Sequence, residues 1–401
     1  MDATDPLAAK RAAFDLPERM IYLDGNSLGA MPQTVAERLT GVVSEEWGRG
    51  LIKSWNEAGW VDLPGRVGAR IAALIGAEAD EVVAADSTSV NLYKAVMTAV
   101  KLRPGRHRII TEAGNFPTDL YILQGITDLL PELELVTLPR QEIAAAIDDD
   151  TAAVVLTHVH YVSGEMFDMA AMTAAAHKAG ALAVWDLSHS TGAVPVDLKA
   201  AAADFAVGCG YKYLNGGPGA PAFVYAARRH HGAADQPLTG WFGHRRPFDF
   251  KDEYEAAPGI GQFLCGTPGV LAMSALEESL KLFDDVSMKQ IRAKSVAMTE
   301  LFTALVEHEC ADLGLMLVSP REAAKRGSQV SFRHEDGYAV MKALIDRGVI
   351  GDFRAPDHIR FGFTPLYLRF VDVWDAVQLL KDVLVSGDYK KPEHRVRDAV
   401  T

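Results

Sequence analysis

The stretch ALAVWDLSHSTGAVPVDLKAAAADFAVGCGYKYLNGGPGAPAFVYAA (181–227) decides the fold class. It contains three short apolar runs, at 181–187, 203–209 and 221–227, that read as strands. Strands that are apolar on both faces are typical of a mostly parallel sheet covered by helices on both sides. The first run leads into an aspartate, and the second leads into Gly-Tyr-Lys-Tyr and a glycine-rich loop.

The same alternation extends upstream to about residue 80. Further strands are predicted at 81–86, 107–112, 133–138 and 151–159, and helices at 90–100, 118–130 and 169–180. Strands that alternate with helices predict an α/β domain. We therefore expect a large domain with a mostly parallel seven-stranded sheet flanked by helices.

The pattern changes after about residue 270, where the Gly/Pro cluster CGTPG (265–269) marks a boundary. Helices are then predicted at 271–286, 288–309 and 371–386, with short strands near 328–334 and 358–364. This pattern predicts a smaller α+β domain. The expected organisation is an N-terminal segment (1–60) that packs on both domains, a large domain (61–270) and a small domain (271–401).

Composition excludes several classes of protein. The 401 residues carry a formal net charge of −13, which argues against a nucleic-acid binder with a basic face and against binding to anionic lipid. Three cysteines are too few for a disulfide framework and favour a reducing compartment. No run reaches the roughly 20 apolar residues of a membrane span, and the N-terminus lacks the apolar core of a signal peptide. We expect a cytoplasmic enzyme.

Lys212 and Asp186 are the most informative pair of polar residues. Lys212 follows a buried strand and has glycines and aromatic residues as neighbours. Desolvation favours the neutral amine, which can attack an aldehyde, as a Schiff base with pyridoxal phosphate requires. Asp186 ends a strand, where open α/β sheets bind ligands, and an aspartate beneath a pyridinium keeps the ring an electron sink. A surface lysine and a strand-end aspartate are the ordinary interpretations, but the pair is much more specific than either residue.

Two further segments allow both a structural and a functional interpretation. The hydroxyls of ADSTSVNLYKAV (85–96) at a helix start can cap the helix, bind phosphate, or do both. Phe116 in GNFPTDLYIL (114–123) can stack on a flat ring or belong to the core. His158 and His160 have no carboxylate partner at ligand spacing, so we predict no metal site.

The sequence resembles kynureninase, a family of pyridoxal-phosphate enzymes with the aminotransferase fold type I. The motifs DLSH (186–189) and GYKYLNGGPG (210–219) indicate fold type I alone. The motifs YLDGNSLG (22–29), GWFGH (240–244) and RFGFTPLY (360–367) narrow the resemblance to this family. LIKSWNEAGW (51–60), FPTD (116–119) and FLCGTPG (263–269) also match, so the likeness covers nearly the whole chain in the family's order.

The resemblance implies a role for each matching residue. Lys212 is implied as the Schiff-base lysine, Asp186 as the partner of the pyridine nitrogen, and Tyr211 as a phosphate contact and proton relay. Arg360 is implied to bind the substrate α-carboxylate, because a bidentate guanidinium suits that group. The other implied cofactor-binding residues are Thr88, Ser89, Phe116, Asp119, Thr157, His189, Trp241 and Thr267, and the implied pocket residues are Trp55 and Asn26. Two of them, Trp241 and Thr267, are expected to reach the active site of the other subunit in a homodimer.

The implied activity is hydrolysis of L-kynurenine to anthranilate and L-alanine in tryptophan catabolism. The animal enzymes place a histidine near the Trp55 region that this chain does not clearly have, which leaves open whether 3-hydroxykynurenine is also a substrate. A cysteine desulfurase or selenocysteine lyase is the nearest competing activity and needs a reactive cysteine on a mobile loop. An aminotransferase is a second competing activity, and a catalytically silent binding protein on the same fold is a third candidate.

Overall fold

A computed structural model describes residues 1–397 of the chain. The helices are α1 (Gln33–Gly41), α2 (Ser54–Glu57), α3 (Leu63–Ile75), α4 (Thr88–Lys101), α5 (Pro117–Leu129), α6 (Arg140–Ala146), α7 (Met169–Lys178), α8 (Val270–Leu280), α9 (Met288–Glu309), α10 (Gly337–Asp346) and α11 (Phe370–Ser386). The strands are β1 (Ile21–Tyr22), β2 (Val82–Ala85), β3 (Arg108–Glu112), β4 (Glu134–Leu138), β5 (Thr151–Thr157), β6 (Leu182–Asp186), β7 (Phe205–Cys209), β8 (Ala222–Ala226), β9 (Met316–Leu317), β10 (Gln329–Arg333), β11 (Val349–Ile350), β12 (Asp352–Arg354) and β13 (His358–Gly362).

The large sheet has seven strands in the order β2-β8-β7-β6-β5-β3-β4. Strand β8 is antiparallel to both of its neighbours, and the remaining pairs are parallel. Each predicted strand of this domain is present within two residues of its predicted ends. The prediction of an α/β fold with a mostly parallel seven-stranded sheet is confirmed.

Side-chain alternation along β5 divides the hydrophobic interior into two layers. Val154 and Leu156 pack into the core that continues into the C-terminal part of the chain. Ala153 and Val155 pack into a second core with residues of α4 and α5. Successive strand residues point to opposite faces, so a strand that is apolar at every position is covered on both sides.

A second, antiparallel sheet has the order β12-β13-β10-β9. Helix α9 packs on α11, and α10 packs on α11 and β13. In contrast, α8 packs on α1 and α3, beside the large sheet. The domain boundary near residue 270 stays a prediction, and residues 398–401 of the predicted small domain lie outside the described residues.

The N-terminal segment contacts the surroundings of both sheets. Strand β1 pairs in parallel with β11. The Asp2 carboxylate accepts hydrogen bonds from the backbone N–H groups of Phe370 and Val371, at the start of α11. The Gly29 N–H donates to the Tyr211 carbonyl at 2.8 Å, next to Lys212. These contacts bring the YLDGNSLG motif between the large sheet and the antiparallel sheet.

Candidate active site

Three neighbouring strands of the large sheet end at one polar site. Thr157 and Asp186 are the last residues of β5 and β6, and they are partners in the parallel register. Lys212 follows the end of β7 and is only 8% exposed. Parallel strands place their carboxyl ends at the same edge, which is where open α/β sheets bind ligands.

Asp186 is held at this edge by the residue two positions further along the chain. Its Oδ1 atom accepts hydrogen bonds from the Ser188 backbone N–H at 2.8 Å and from the Ser188 hydroxyl at 2.6 Å. Burial raises the pKa of Asp186, and the Ser188 bonds and the positive charge of Lys212 oppose this rise without reversing it.

Asp119 is a second buried carboxylate at the site. Its Oδ2 atom accepts hydrogen bonds from Thr157 Oγ1 at 3.0 Å and from Asn115 Nδ2 at 3.3 Å. Burial, followed by the neighbouring charge of Asp186, raises its pKa well above the usual range. Its Oδ1 atom is buried and has no hydrogen-bond partner among the described residues. The site therefore holds two carboxylates that lack a cation sufficient to keep both ionised.

Two aromatic rings flank the lysine amine. The Lys212 Nζ atom lies 5.8 Å from the centre of the Phe116 ring and 5.7 Å from that of Tyr211. Phe116 is 37% exposed and makes an edge contact with Tyr161 at 5.3 Å between ring centres. A ring this exposed is not a core side chain, so part of the Phe116 ring remains open to solvent near the lysine.

His189 is buried and neutral beside Lys212. Burial lowers its pKa well below the usual range, and the charges of Lys212 and Arg360 lower it further. Its Nδ1 atom lies 2.8 Å from Gln329 Oε1, while Gln329 Nε2 donates to the Tyr161 carbonyl at 2.9 Å. The amide orientation fixed by Tyr161 makes Nδ1 the donor, which leaves Nε2 of the imidazole as an acceptor.

Thr88 and Ser89 form the first turn of α4, after the strand β2. Ser87 caps the helix, because its side chain accepts a hydrogen bond from the Val90 N–H at 3.4 Å. The free N–H groups of a first helical turn and the helix dipole attract anions. Ser87 therefore provides the cap, and phosphate binding by the half-buried Thr88 and Ser89 stays a prediction.

Arg360 lies on β13 and is buried, with 1% exposure. Its Nε donates to Asp352 Oδ1 at 2.8 Å, and its Nη2 donates to Asp352 Oδ2 and to Ser27 Oγ. Its Nη1 donates to the Tyr161 carbonyl. The predicted carboxylate-binding arginine is thus held by a bidentate ion pair within the protein.

Asn26 lies inside the protein, next to β13. Its side chain is fully buried, and neither polar atom of its amide has a hydrogen-bond partner among residues 1–397. The amide packs against Gly362, where an added Cβ would lie 1.7 Å from Asn26 Oδ1. Gly29 similarly permits close approach to the lysine loop, because a Cβ there would lie 2.2 Å from the Lys212 carbonyl oxygen.

Trp55, Trp241 and Thr267 make no direct contact with Lys212 among the described residues of one chain. Trp55 and Trp241 both contact Phe242, with ring centres 6.1 and 5.0 Å apart. No ring contact or hydrogen bond in the described part of the chain joins them to Lys212. Thr267 is exposed and lines a cavity of about 210 Å³ with Asp86, the residue before the α4 cap.

The cysteines do not form a nucleophilic site. Cys209 and Cys310 are buried, and burial raises the pKa of both thiols, that of Cys310 to about 11. Cys265 is half-buried in the CGTPG segment. A desulfurase needs a thiolate on a mobile loop, so these positions give no support to that activity. Across residues 1–397, no group of three His, Cys, Asp or Glu residues could hold a metal ion.

Several residues of the site carried no distinct signal in the sequence. Asn115 bonds Thr157 at 2.6 Å and Asp119, and its place before FPTD was the one available indication. Gln329 and Asp352 lie in the C-terminal part of the chain, on strands that show no motif at those positions. Their importance becomes visible only through their contacts with His189 and Arg360.

The residues at this edge fit pyridoxal 5'-phosphate. A pyridinium would supply the positive charge that the buried carboxylates Asp119 and Asp186 lack, and the unpartnered Asp119 Oδ1 is free to accept a hydrogen bond. The open part of the Phe116 ring suits a flat ring near the Lys212 amine, and the start of α4 suits a phosphate. Fold and site together define a fold type I enzyme that uses pyridoxal phosphate.

Relatives that match the whole chain make the assignment more specific. The kynureninase of Pseudomonas fluorescens is 53% identical over 408 residues, which covers 100% of this chain and 98% of the relative. The kynureninase of Burkholderia mallei strain SAVP1 has the same identity and coverage. A family model of the kynureninase C-terminal domain matches residues 291–380, and one of the DegT/DnrJ/EryC1/StrS aminotransferase family matches residues 57–206. The chain belongs to the kynureninase family, so the resemblance of its motifs is confirmed.

Solved structures of cysteine desulfurases share the fold. The enzyme from Thermococcus onnurineus NA1 superposes with a TM-score of 0.79 at 19% identity, covering 94% of this chain and 98% of that one. The CsdA enzyme of Escherichia coli superposes with a TM-score of 0.79 at 20% identity, covering 95% and 98%. At this identity the likeness shows the fold alone, and it confirms the fold type I prediction.

One further property concerns the helices. In the part of the chain that the structure describes, none of them combines the length and the apolar character needed to cross a bilayer.

Proposed function

We propose that this protein hydrolyses the Cβ–Cγ bond of L-kynurenine to give anthranilate and L-alanine. The observation that carries the proposal is the site at the ends of β5, β6 and β7, where Lys212 faces Phe116 and two buried carboxylates. The 53% identity to relatives named kynureninase over the full chain supports the choice of substrate. In the overall reaction, the oxygen of one water enters the anthranilate carboxylate, and one proton completes the methyl group of alanine.

Bound pyridoxal phosphate supplies an electron sink conjugated to the substrate amine. Asp186 would stabilise a positive charge on the cofactor ring, because its carboxylate is fixed by Ser188 and buried from water. The Lys212 amine would hold the cofactor and would act as the base that removes the proton from the substrate α-carbon. Its burial between Phe116 and Tyr211 excludes water from that proton transfer.

Tyr211 is suited to return a proton to the substrate-derived carbon after the C–C bond breaks. Burial raises the pKa of its hydroxyl, so the group keeps its proton at neutral pH and can donate it. The ring lies next to the lysine amine, which places donor and base on one loop. Arg360 orients the substrate through its α-carboxylate, since a fixed guanidinium recognises that group.

The direct test is formation of fluorescent anthranilate from L-kynurenine by the purified holoenzyme, with 3-hydroxykynurenine as the parallel substrate. We expect turnover of L-kynurenine, and the ratio of the two kcat/KM values will decide the substrate preference. Sulfide release from L-cysteine, or turnover that depends on a 2-oxo acid, in place of anthranilate would contradict the proposal.

We also propose a homodimer in which each active site uses residues of both subunits. In the described part of their own chain, Trp241 and Thr267 make no ring contact or hydrogen bond with Lys212. Trp241 makes an edge contact with the exposed Phe248 ring and stacks with the exposed Phe250 ring. An exposed aromatic patch on a chain of this class favours association with a second copy. The sparse cysteines keep the cytoplasm as the proposed location.

The shared site can be tested by mixing inactive variants. Lys212→Ala and Trp241→Ala chains, refolded together, should regain about a quarter of the wild-type activity, because half of the dimers would contain one intact site. If Trp241 serves its own subunit, the mixture stays as inactive as the separate variants. A monomer by light scattering would also contradict the dimer.

A further inference from the structure

A second arginine, Arg354, lies near Arg360 on the antiparallel sheet. Asp352 on β12 and Arg360 on β13 are direct cross-strand partners. Arg354 follows Asp352 by two residues on β12, so both side chains point to one face of the sheet. Register therefore places two guanidinium groups on either side of a single carboxylate.

Arg360 has almost no hydrogen-bonding capacity left. A guanidinium has five N–H donors. Asp352 accepts two from Arg360, Ser27 Oγ accepts one and the Tyr161 carbonyl accepts one. One donor remains, on Nη1. A bidentate pair with a carboxylate needs two parallel N–H donors, so Arg360 alone cannot form one with a substrate.

Arg354 has the donors that Arg360 lacks. Its Nη2 donates to Asp352 Oδ2 at 2.7 Å and approaches Ser27 Oγ at 3.4 Å. Its Nε is buried without a partner, and its Nη1 makes no hydrogen bond within residues 1–397. The Arg354 side chain is 36% exposed, in contrast to 1% for that of Arg360. Arg354 thus presents the unused donors of Nη1 at an accessible position beside Arg360, while its unused Nε donor is buried.

The Arg354 charge acts on the catalytic residues as well. It lowers the pKa of His189, after burial and the charges of Lys212 and Arg360, and it opposes the burial-driven rise in the pKa of Tyr211. These charge effects agree with the hydrogen bonds of Arg354 to Asp352 and Ser27, the two residues that also hold Arg360.

The charge balance favours an added anion. Asp352 stays ionised, because the Arg360 charge and its hydrogen bonds outweigh the effect of burial on its pKa. Burial and the Asp352 charge raise the pKa of Asp24, the second carboxylate of the group, to about 7. When Asp24 is protonated, two guanidiniums face one ionised carboxylate, and the group has a net positive charge.

We propose that Arg354 is a second substrate-binding residue, which donates hydrogen bonds to the α-carboxylate beside the single free donor of Arg360. Asp352 is the positioning residue that holds the two guanidiniums side by side. This inference rests on the proposed function for the identity of the substrate, although the chemistry it assigns is recognition of any α-amino acid carboxylate at this site.

The test compares a ligand with a carboxylate and one without it. L-alanine and ethylamine differ only in that group, and both are titrated into the holoenzyme by the change in cofactor absorbance. Arg354→Gln should weaken L-alanine binding on the order of tenfold, the loss expected for a charge-assisted hydrogen bond, and leave ethylamine binding unchanged. Arg354→Lys, which keeps the charge without the fork, should recover part of the affinity.

The matched control is Arg333→Gln, which breaks an exposed Arg–Asp pair with Asp357 on the same sheet. It should change neither dissociation constant. If Arg354→Gln weakens the binding of L-alanine and ethylamine equally, or changes neither, Arg354 is only a structural partner of Asp352 and the inference is wrong.

The two proposals can fail separately. A wild-type enzyme that binds L-alanine through Arg354 but forms no anthranilate would overturn the proposed function and keep the inference. If the wild type forms anthranilate but Arg354→Gln binds L-alanine with unchanged affinity, the proposed function stands and the inference about Arg354 is wrong. For Asp352→Asn, a positioning role predicts a larger KM for L-kynurenine with a smaller change in kcat.

Discussion

Asp186 in the large sheet and Asp352 in the antiparallel sheet are equally buried, with 4% and 3% exposure, but their pKa values shift in opposite directions. Burial raises the pKa of Asp186, and Lys212 is too weak a counter-charge to reverse this. At Asp352 the effect of burial is overcome by Arg360 and Arg354. The number and contact of the neighbouring cations, and not burial, therefore decide whether a buried aspartate is ionised.

The opposite pKa shifts of Asp186 and Asp352 distinguish two kinds of charged site. The charged groups around Asp352 are already paired with one another in the absence of a ligand, which suits the carboxylate-binding role that we propose for them. The site around Asp186 and Asp119 has unbalanced carboxylates, which makes it complete only with a cationic ring. The two sites meet at Tyr161, which accepts a hydrogen bond from Arg360 through its carbonyl and contacts Phe116 through its ring.

Removal of Lys212 should have the largest effect, since it deletes the cation beside the buried carboxylates Asp186 and Asp119. Lys212→Ala should lower kcat by about 10³-fold or more, because we propose that the residue acts both as nucleophile and as base. It should also abolish the visible absorbance of the lysine-bound cofactor. The exposed Lys251→Ala serves as control, and full turnover by a purified Lys212→Ala protein would refute its assignment.

Removal of the Asp352 charge should cost more stability than any change at the cofactor carboxylates. Asp352→Asn removes the ion-pair partner of the buried Arg360, while Asp24, whose pKa the Asp352 charge raises, becomes easier to ionise and offsets part of the effect. We therefore expect a loss of about 1–3 kcal/mol in the free energy of unfolding. Urea denaturation measures it. Asp357→Asn, which breaks the exposed pair with Arg333, should cost less than about 1 kcal/mol. Equal losses in the two variants would show that Asp352 is not the ionised centre of the group.

Replacement of Arg360 tests whether the group around Asp352 contributes to catalysis. Arg360→Ala should reduce kcat/KM for L-kynurenine by about 2–4 kcal/mol in transition-state free energy, since a charged hydrogen bond to the substrate is lost. The effect should exceed that of Arg354→Gln, because Arg360 also anchors Tyr161 through its carbonyl. An Arg360→Ala enzyme with unchanged affinity for L-alanine would exclude this residue from the site.

The smallest effect is a pH dependence at Asp119. Its pKa is raised in the folded protein, so the protonated carboxyl stabilises the fold below the unfolded pKa of about 3.9, and this contribution is lost as pH rises through the folded value. The cofactor-free Asp119→Asn variant escapes this loss, so its stability relative to wild type should increase with pH. Chemical denaturation at pH 5 and pH 8 checks the sign. Asp357→Asn is the control and should show no trend over this range, because the pKa of Asp357 is lowered in the folded protein and the group is ionised in both states.

Local sequence patterns were sufficient to predict most of the strands and helices. The apolar runs of β2 to β8 and the amphipathic helices α9 and α11 are contiguous in sequence, so each could be located without knowledge of its partners. The helix predicted at 271–286 was longer than α8, which ends at Leu280 and continues as a single 3₁₀ turn, Lys281–Phe283. Strand order was not predictable, because pairing joins residues distant in sequence.

The site was predictable where its residues lie within motifs. Lys212, Asp186 and Asp119 lie at strand or helix ends in recognisable segments, and the structure brings them together. Gln329 and Asp352 could not be predicted, because their roles depend on contacts across 140 residues with His189 and across a strand pair with Arg360.

The sequence by itself determined the class of the fold, the family, and the lysine and aspartate at the ends of two strands, since these follow from short contiguous patterns. Only the tertiary structure decided which carboxylates are ionised, how many donors Arg360 has left, and that Arg354 lies beside it. Charge state and hydrogen-bond capacity depend on burial and on neighbours within a few ångströms, and those neighbours come from separate parts of the chain.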